Sequence, residues 1–328
     1  MARIFAYIVH KAGVADDSAA ELLTAASKID SAASLTAIVT GWGADLDAVC
    51  STLRASYSEV WKIANEAFAY PNAELVRKAL VKVLPQGSIL LVSHEHFGID
   101  LAPGLSIKLK SAFVSDVLGI DGVEGSHLKV VRQEFGGQVS AHVRCDISSG
   151  AVITIRPGAF KPLEIAPVKG SVVDMSSDVG VLAAGRRYLE TVVAEAGDVD
   201  ITKHNVLVSI GRGIQEKDNV AIAEELAEAL GAAVSCSRPV VDAKWLEKSR
   251  QVGTSGKTVK PKVYLACGIS GAFQHLAGIK GNPFIVAINK NPKAPIFQVA
   301  DVGIVDDLLE FLPEFTNKVR EMRTVSAK

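Results

Sequence analysis

Short apolar runs alternate with segments of helical period through the first hundred residues, and the same rhythm resumes near residue 205. Residues 4–9 predict a strand. Ser18 and Glu21 form an S-x-x-E capping box ahead of Leu22, Ala25, Ala26 and Ile29 at helical spacing. A strand over 35–40 ends at Gly41-Trp42-Gly43, a helix covers 72–83, and a third strand covers 88–93. Strands and helices of these lengths in this order confine the chain to parallel βαβ units. From about 125 the pattern changes, with residues 128–134 and 139–145 flanking Gly136-Gly137, a hairpin signal. Val139, Ala141 and Val143 alternate with Ser140, His142 and Arg144, so one face of that arm is wet. Residues 151–155, closed by Arg156-Pro157-Gly158, complete what reads as an antiparallel extension on the edge of a first domain.

A helix over 181–195 and the polar stretch 196–200 mark a domain boundary. The fold class is therefore α/β in two domains. An N-terminal α/β domain with an antiparallel edge extension spans 1–195, and a C-terminal doubly wound parallel-sheet domain spans 196–328. Strands are expected over 205–210, 233–236, 263–266 and 284–288. A helix over 216–230 stops at Gly231, and a last amphipathic helix covers about 305–322. The length of 328 residues agrees with two domains at about 150 residues each.

Charge narrows the function. Thirty-five basic residues against 36 acidic ones leave a net charge of −1, without the basic excess of a nucleic-acid or anionic-membrane binder. Aromatic residues at 6% are too few for a base-stacking platform. No apolar run reaches the roughly 18 residues of a membrane span. The first residues carry one basic side chain and a short apolar stretch, a strand's pattern and not a secretory leader's. A cytoplasmic location is expected, or the mitochondrial matrix for a processed eukaryotic chain. Cys50, Cys145, Cys236 and Cys267 are widely spaced and sit in apolar runs, so they read as buried reduced thiols and not as a zinc or iron–sulfur set.

Four strand ends in the second half run into small or polar turns: Gly211-Arg212-Gly213, Ser237-Arg238, Gly268-Ile269-Ser270-Gly271 and Asn289. Any one of them could be merely a tight turn. Four on the carboxyl edge of one parallel sheet point to a ligand, since that edge is where such sheets bind. Gly271 lets backbone approach closely, and a helix over 272–279 would start there with its N–H groups aimed at an anion. Arg212 and Arg238 could balance phosphates or negative charge on a ring system. His275, on that short helix, is expected to face the same anion site.

Familiar catalytic patterns are missing. Gly253-Thr254-Ser255-Gly256-Lys257-Thr258 resembles the end of a phosphate-binding loop, but its first glycine is replaced by Gln251 and no strand precedes it. Gly211-Arg212-Gly213 lacks the third glycine of a dinucleotide fingerprint. There is no G-x-S-x-G elbow and no H-E-x-x-H. His94 and His96 share a strand face but have no evident third ligand, so neither a catalytic residue nor a metal is assigned.

The stretch Tyr264-Leu265-Ala266-Cys267-Gly268-Ile269-Ser270-Gly271-Ala272-Phe273-Gln274-His275-Leu276-Ala277-Gly278 resembles the alpha subunits of electron-transfer flavoproteins. The likeness continues through 285–290 and 294–301, and through Gly211-Arg212-Gly213, 237–242 and 251–257 in the family's order. It is weaker but collinear earlier, at 100–103 and 156–160. The resemblance implies one FAD held mainly by residues 196–328. It also implies a beta subunit that pairs with residues 1–195, a flavin dehydrogenase as electron donor (commonly an acyl-CoA dehydrogenase) and a quinone reductase as acceptor.

Carried over by position, the FAD contacts would be Arg212, Ser237, Arg238, Val252, Gly253, Thr254, Ser255, Ser270, Gly271, Ala272, Phe273, Gln274, His275, Asn289, Asp307 and Leu308. Ser270 and its helix start would hold the pyrophosphate, and Asn289, Asp307 and Leu308 would lie toward the adenosine. Arg238, Ser255 and His275 would surround the isoalloxazine, with charge and hydrogen bonds stabilising the reduced ring. Two positions depart from the family: Thr254 stands where Gln is frequent, and Ser255 where many members have Thr. Three alternatives stay open. They are an electron-bifurcating complex with a second FAD in the beta subunit, a stand-alone NAD- or FAD-dependent enzyme, and a nucleotide-sensing protein with a degraded site.

Overall fold

The computed structural model describes residues 3–32, 34–135, 139–163, 168–186, 188–190 and 199–326. The chain divides into two compact units, Met1–Glu190 and Thr191–Lys328. In the first, β1 (Ile4–Tyr7) leads through the short ribbon β2 (His10–Lys11) and β3 (Val14–Ala15) into α1 (Ser18–Ile29). Then come β4 (Leu35–Gly41), α2 (Gly43–Leu53), β5 (Glu59–Ala64), α3 (Ala73–Val83), β6 (Ile89–Ser93) and α4 (His96–Leu109). Four strands follow, β7 (Ala112–Glu124), β8 (His127–Glu134), β9 (Val139–Asp146) and β10 (Ala151–Ile155). The unit ends with β11 (Ser171–Asp174) and the one-turn α5 (Ser176–Val179).

The nine-stranded sheet runs β11-β5-β4-β1-β6-β10-β7-β8-β9. It is parallel as far as β7, and β7, β8 and β9 pair antiparallel. Both faces of the parallel part are covered. Leu22, Ala25, Leu46 and Val49 of α1 and α2 close one core, and Leu75, Val76, Leu101 and Leu105 of α3 and α4 close the other. The β1 run is buried at every position because both faces are dry.

Three expectations for this unit change. The 151–155 run is no edge strand: β10 sits in the sheet interior between β6 and β7, parallel to both and buried throughout. Ala-Val-Ile-Thr-Ile lacks the polar alternation a wet face needs, and its one hydroxyl, on Thr154, accepts from Asp116 N. The edge extension is β8 and β9, where Ala141, Val143 and Cys145 are less exposed than His142, Arg144 and Asp146; the Gly136-Gly137 turn lies outside the described residues. The capping box does not form. Asp17 takes the cap position, Asp16 Oδ1 accepts from Ser18 N, and Glu21 accepts from Gly158 N.

No helix exists over 181–186 or 188–190, and 191–198 lie outside the described residues. Instead α3, and Tyr70 ahead of it, hold the backbone of Ala183, Gly185 and Tyr188. Lys78 donates to Ala183 O, Gly185 N donates to Glu74, and Tyr188 N donates to Tyr70 Oη, whose ring stacks on Tyr188 at 4.4 Å.

The second unit contains β12 (Val206–Ile210), α6 (Val220–Leu230), β13 (Ala233–Cys236), α7 (Arg238–Asp242) and β14 (Val263–Cys267). After these come α8 (Phe273–Leu276), β15 (Phe284–Ile288), β16 (Val302–Ile304) and α9 (Leu308–Ser326). Its sheet is all parallel in the order β13-β12-β14-β15-β16. Leu226 and Ala227 of α6 and Leu308 and Leu312 of α9 cover one face. The other face is closed mainly by loop residues, among them Val252, Val259, Ile269 and Ile296. Two expected helices shrink: α6 starts at Val220 instead of 216, and α8 is a single turn instead of 272–279. Among the described residues no helix is long and apolar enough to cross a membrane.

Candidate functional site

Pairing register puts Cys236, Ile210, Cys267, Ile288 and Ile304 in one row across the second sheet. The turns that follow therefore leave the sheet at one level of its carboxyl edge. From β12 the chain moves to β13 on one side and then crosses back to β14 on the other. The connections that follow β12 and β14 run to opposite faces at this switch point, where such sheets open a crevice.

Glycine brings those two turns together. Gly211 N donates to Cys267 O at 2.8 Å and Gly213 N to Gly268 O at 3.1 Å. A Cβ on Gly211 would lie 2.3 Å from Gly268 O, so no side chain fits. Arg212, between the two glycines, is exposed. Ser237 is buried (7% exposed) and tied to β12 by its N–H on Ile210 O. It occupies the N-cap position of α7 without a side-chain capping bond, and the next residue, Arg238, stands out with 69% of its side chain exposed and its Nε 3.4 Å from Asp242.

Residues 251–257 close on themselves: Lys257 N donates to Gln251 O at 2.7 Å and Gly253 N to Lys257 O at 3.2 Å. The loop is anchored to β13 through Val252 N on Cys236 O and to α8 through Thr254 N on Gln274 O, both at 2.8 Å. Val252 and Gly253 are buried, while Thr254 and Ser255 form an exposed tip.

Beyond β14, Gly271 has φ 85°, and a Cβ there would lie 2.3 Å from Ile296 N. Only glycine lets this turn sit on the 295–298 segment. Ser270, Ala272, Phe273 and Gln274 are exposed around it. The N–H groups of Ser270, Gly271, Ala272 and Gln274 donate to no protein acceptor among the described residues.

His275 is placed differently from expectation. It is 6% exposed, and its Nε2 lies 2.8 Å from Tyr264 Oη, which donates to Ser209 Oγ at 2.7 Å. Burial pulls its pKa down to about 4, opposed only weakly by the Val252 backbone beside it. The imidazole is thus neutral and turned into the core, and Ser209 and Tyr264 are wholly buried beneath it. Tyr264 had no expected role, although a polar ring inside the apolar run 263–267 was a visible oddity.

Asn289 follows β15, but its Nδ2 donates to Ile269 O and its Oδ1 accepts from Asn291 N, so the amide braces the loops. Asp307 begins α9, accepts from Leu309 N and pairs with Lys290 at 2.7 Å. The Lys290 hydrogen bond holds its carboxyl below the usual range. Leu308 is buried in the α6–α9 core. The carboxyl-edge turns therefore carry Arg212, Arg238, Ser255 and Ser270 as exposed donors, with the open N–H groups of Gly271, Ala272 and Gln274, while His275, Leu308 and much of Asn289 serve the packing.

Other candidates weaken. His94 lies beyond the end of β6, its Nδ1 2.8 Å from Thr154 Oγ1, and His96 opens α4, so they do not share a strand face. Among the described residues no group of three or more His, Cys, Asp or Glu is placed to hold a metal ion. Cys50, Cys236 and Cys267 are buried, Cys145 is partly exposed, and burial pushes the Cys236 and Cys267 thiols up to about 12. A cavity of about 540 Å³ lies at the amino end of β13, lined by Asp200, Glu224, Glu228, His204 and Arg250. Its three carboxylates make it a poor anion site, and it is away from the carboxyl-edge turns.

Comparison with known proteins agrees with the geometry. The family described as electron transfer flavoprotein FAD-binding domain matches residues 200–280, and the one described as electron transfer flavoprotein domain matches residues 4–179. An electron transfer flavoprotein subunit alpha of Thermoanaerobacterium thermosaccharolyticum is 37% identical over 259 residues, 79% of this chain and 77% of that one. The mitochondrial electron transfer flavoprotein subunit alpha of Arabidopsis thaliana is 32% identical over 96% of this chain and 88% of its own. The LctC subunit of a lactate dehydrogenase (NAD(+),ferredoxin) of Acetobacterium woodii is 34% identical over 76% of this chain and 59% of its own.

Proposed function

Because the chain belongs to the alpha-subunit family of electron transfer flavoproteins, we propose that it is the FAD-carrying half of a two-subunit electron carrier. FAD is the cofactor of the matched binding domain. The donor set fits it: exposed guanidinium, hydroxyl and backbone N–H groups suit an anionic pyrophosphate, and the glycine turns leave the backbone open to approach. The observation that carries the reading is the single row of strand ends, each opening into a turn at the switch point.

FAD, when bound, supplies reversible one- and two-electron chemistry. This chain's residues would hold and tune it. Ser270 and the open N–H groups of Gly271, Ala272 and Gln274 would hold the pyrophosphate, and Arg212 and Arg238 would bring positive charge to the edge. Ser255 would offer a hydroxyl, and Asp307 would lie toward the adenosine end. His275, neutral and inward, contributes no charge. No acid, base or nucleophile is required of a carrier, in keeping with the missing G-x-S-x-G and H-E-x-x-H motifs of the sequence.

Residues 1–195 would pair with a beta subunit, and the electron source would be a flavin dehydrogenase, commonly an acyl-CoA dehydrogenase, with a quinone reductase as acceptor. The cytoplasm, or a mitochondrial matrix, is the expected location. A second reading has one specific support, the likeness to a subunit of a lactate dehydrogenase named for NAD(+) and ferredoxin. In that reading the chain serves a bifurcating enzyme.

Stepwise anaerobic reduction of the chain co-purified with its beta subunit tests both. Absorbance near ~450 nm lost in two one-electron steps supports the carrier. Bleaching in one two-electron step, with NADH oxidised only when a second acceptor is present, supports the bifurcating enzyme. Protein free of flavin overturns both.

A further inference from the structure

Gln251 is 4% exposed, an unusual depth for a carboxamide on a surface loop, and belongs to none of the expected contacts. Its backbone is committed: N donates to Lys248 O and O accepts from Lys257 N. Its side chain reaches across the loop, and Nε2 donates to Ser255 Oγ at 2.8 Å. Ser255 stands at the exposed tip of the same loop.

Donor counting gives this bond a direction. An amide nitrogen only donates, so Ser255 Oγ is the acceptor, and the one proton of the hydroxyl has to go elsewhere. No acceptor among the described residues takes it. The backbone makes the arrangement stiff: a Cβ on Gly256 would lie 2.3 Å from Gln251 O, and Thr254 N is fastened to Gln274 O. Burying an amide costs free energy unless its hydrogen bonds are made, and fixing its three side-chain torsions costs entropy. A serine needs neither to remain at a loop tip.

We propose that Gln251 is a positioning residue: its buried amide saturates Ser255 Oγ as an acceptor, so that the Ser255 hydroxyl is presented to the bound cofactor as a donor. The partner is an acceptor atom of the oxidised isoalloxazine, whose N1, N5 and two carbonyl oxygens accept, while N3 carries a hydrogen and donates. The inference rests on the reading of this edge as the FAD site. It adds that the donor character of Ser255 is set four residues away, by a side chain that does not itself touch the ligand.

The test uses the full chain co-expressed with its beta subunit and FAD, with resonance Raman of the isoalloxazine bands, the reduction potential and the FAD dissociation constant as readouts. Ser255→Ala should shift the hydrogen-bond-sensitive ring bands and weaken FAD binding about three- to tenfold, the range of one hydrogen bond. Gln251→Leu removes the donor, and Gln251→Glu at pH 9 offers a carboxylate that pulls the Ser255 proton inward. Both should reproduce the Ser255→Ala band shift, and neither should add to it in a double variant with Ser255→Ala. Wild-type bands and potential in both Gln251 variants, with Ser255→Ala shifted, would overturn the proposal and leave the FAD site standing. Unshifted bands in Ser255→Ala would overturn the placement of the loop against the ring as well.

Discussion

His275 is a base held neutral by its surroundings, with Tyr264 Oη at Nε2 and a pKa near 4. In the unfolded chain it would titrate near its ordinary value of about 6.5. Above that value neither state binds the proton and His275 adds no pH dependence. As pH falls from 6.5 to 4 only the unfolded chain takes the proton, so stability is lost through that window and levels off below 4. The loss amounts to about 3 kcal/mol at most. His275→Gln should flatten the fall, as urea unfolding at pH 7 and pH 4.5 would show. Arg238 is the opposite case, an exposed cation whose nearest charge is Asp242. Arg238→Ala should lower the first reduction potential of bound FAD by tens of millivolts, on the order of one charged hydrogen bond discounted for solvent. A redox titration of the heterodimer reads it. His275 stands out in the sequence beside a glycine turn and Arg238 at a strand end, but the direction of an imidazole is set by the Ser209–Tyr264 pair behind it, and no local pattern encodes that.

Among elements, α3 was legible and β10 was not. Asn72 precedes an apolar stripe of helical period, and its Oδ1 does cap the helix, accepting from Glu74 N at 3.0 Å and from Leu75 N. Asn72→Ala should cost about 1 kcal/mol in urea unfolding. The run 151–155 is as readable as a strand, yet its place is decided by what β6 and β7 leave open between them. Sequential adjacency suggested the edge, and burial on both faces put it in the middle. The turns after β12 and β14 show a third situation. Each glycine is visible singly, but their mutual contact is a property of the pair. Gly211→Ala should destabilise the second unit by about 2 kcal/mol through overpacking against Gly268 and should lower FAD content on purification. Absorbance ratios at 280 and 450 nm, ~450 nm being the flavin band, check the latter.

At the scale of the molecule, the tryptophans report on the two units separately. Trp61 is buried in the first unit's core, and Trp245 packs against the second. FAD at about a hundred times its dissociation constant should add about 2.7 kcal/mol to the unit that binds it. In variants retaining only Trp61 or only Trp245, thermal unfolding should shift upward for Trp245 and stay unmoved for Trp61. A shift of both would mean that the units unfold as one.

The sequence by itself determined the α/β class, the restart of the βαβ rhythm near 205, the four turns on one sheet edge and the family they resemble. These are local quantities: the period of apolar residues, glycines where side chains cannot fit, and donors at strand ends. Tertiary structure alone decided that β10 enters the sheet interior, that Ala183 and Gly185 are held by α3 instead of coiling, that His275 looks inward, and that Gln251 lies under Ser255. Each depends on a partner distant in the chain, or on which of several competing donors and acceptors a buried polar group finds. Periodicity records that a residue is buried, whereas hydrogen-bond direction and sheet position belong to the packed whole.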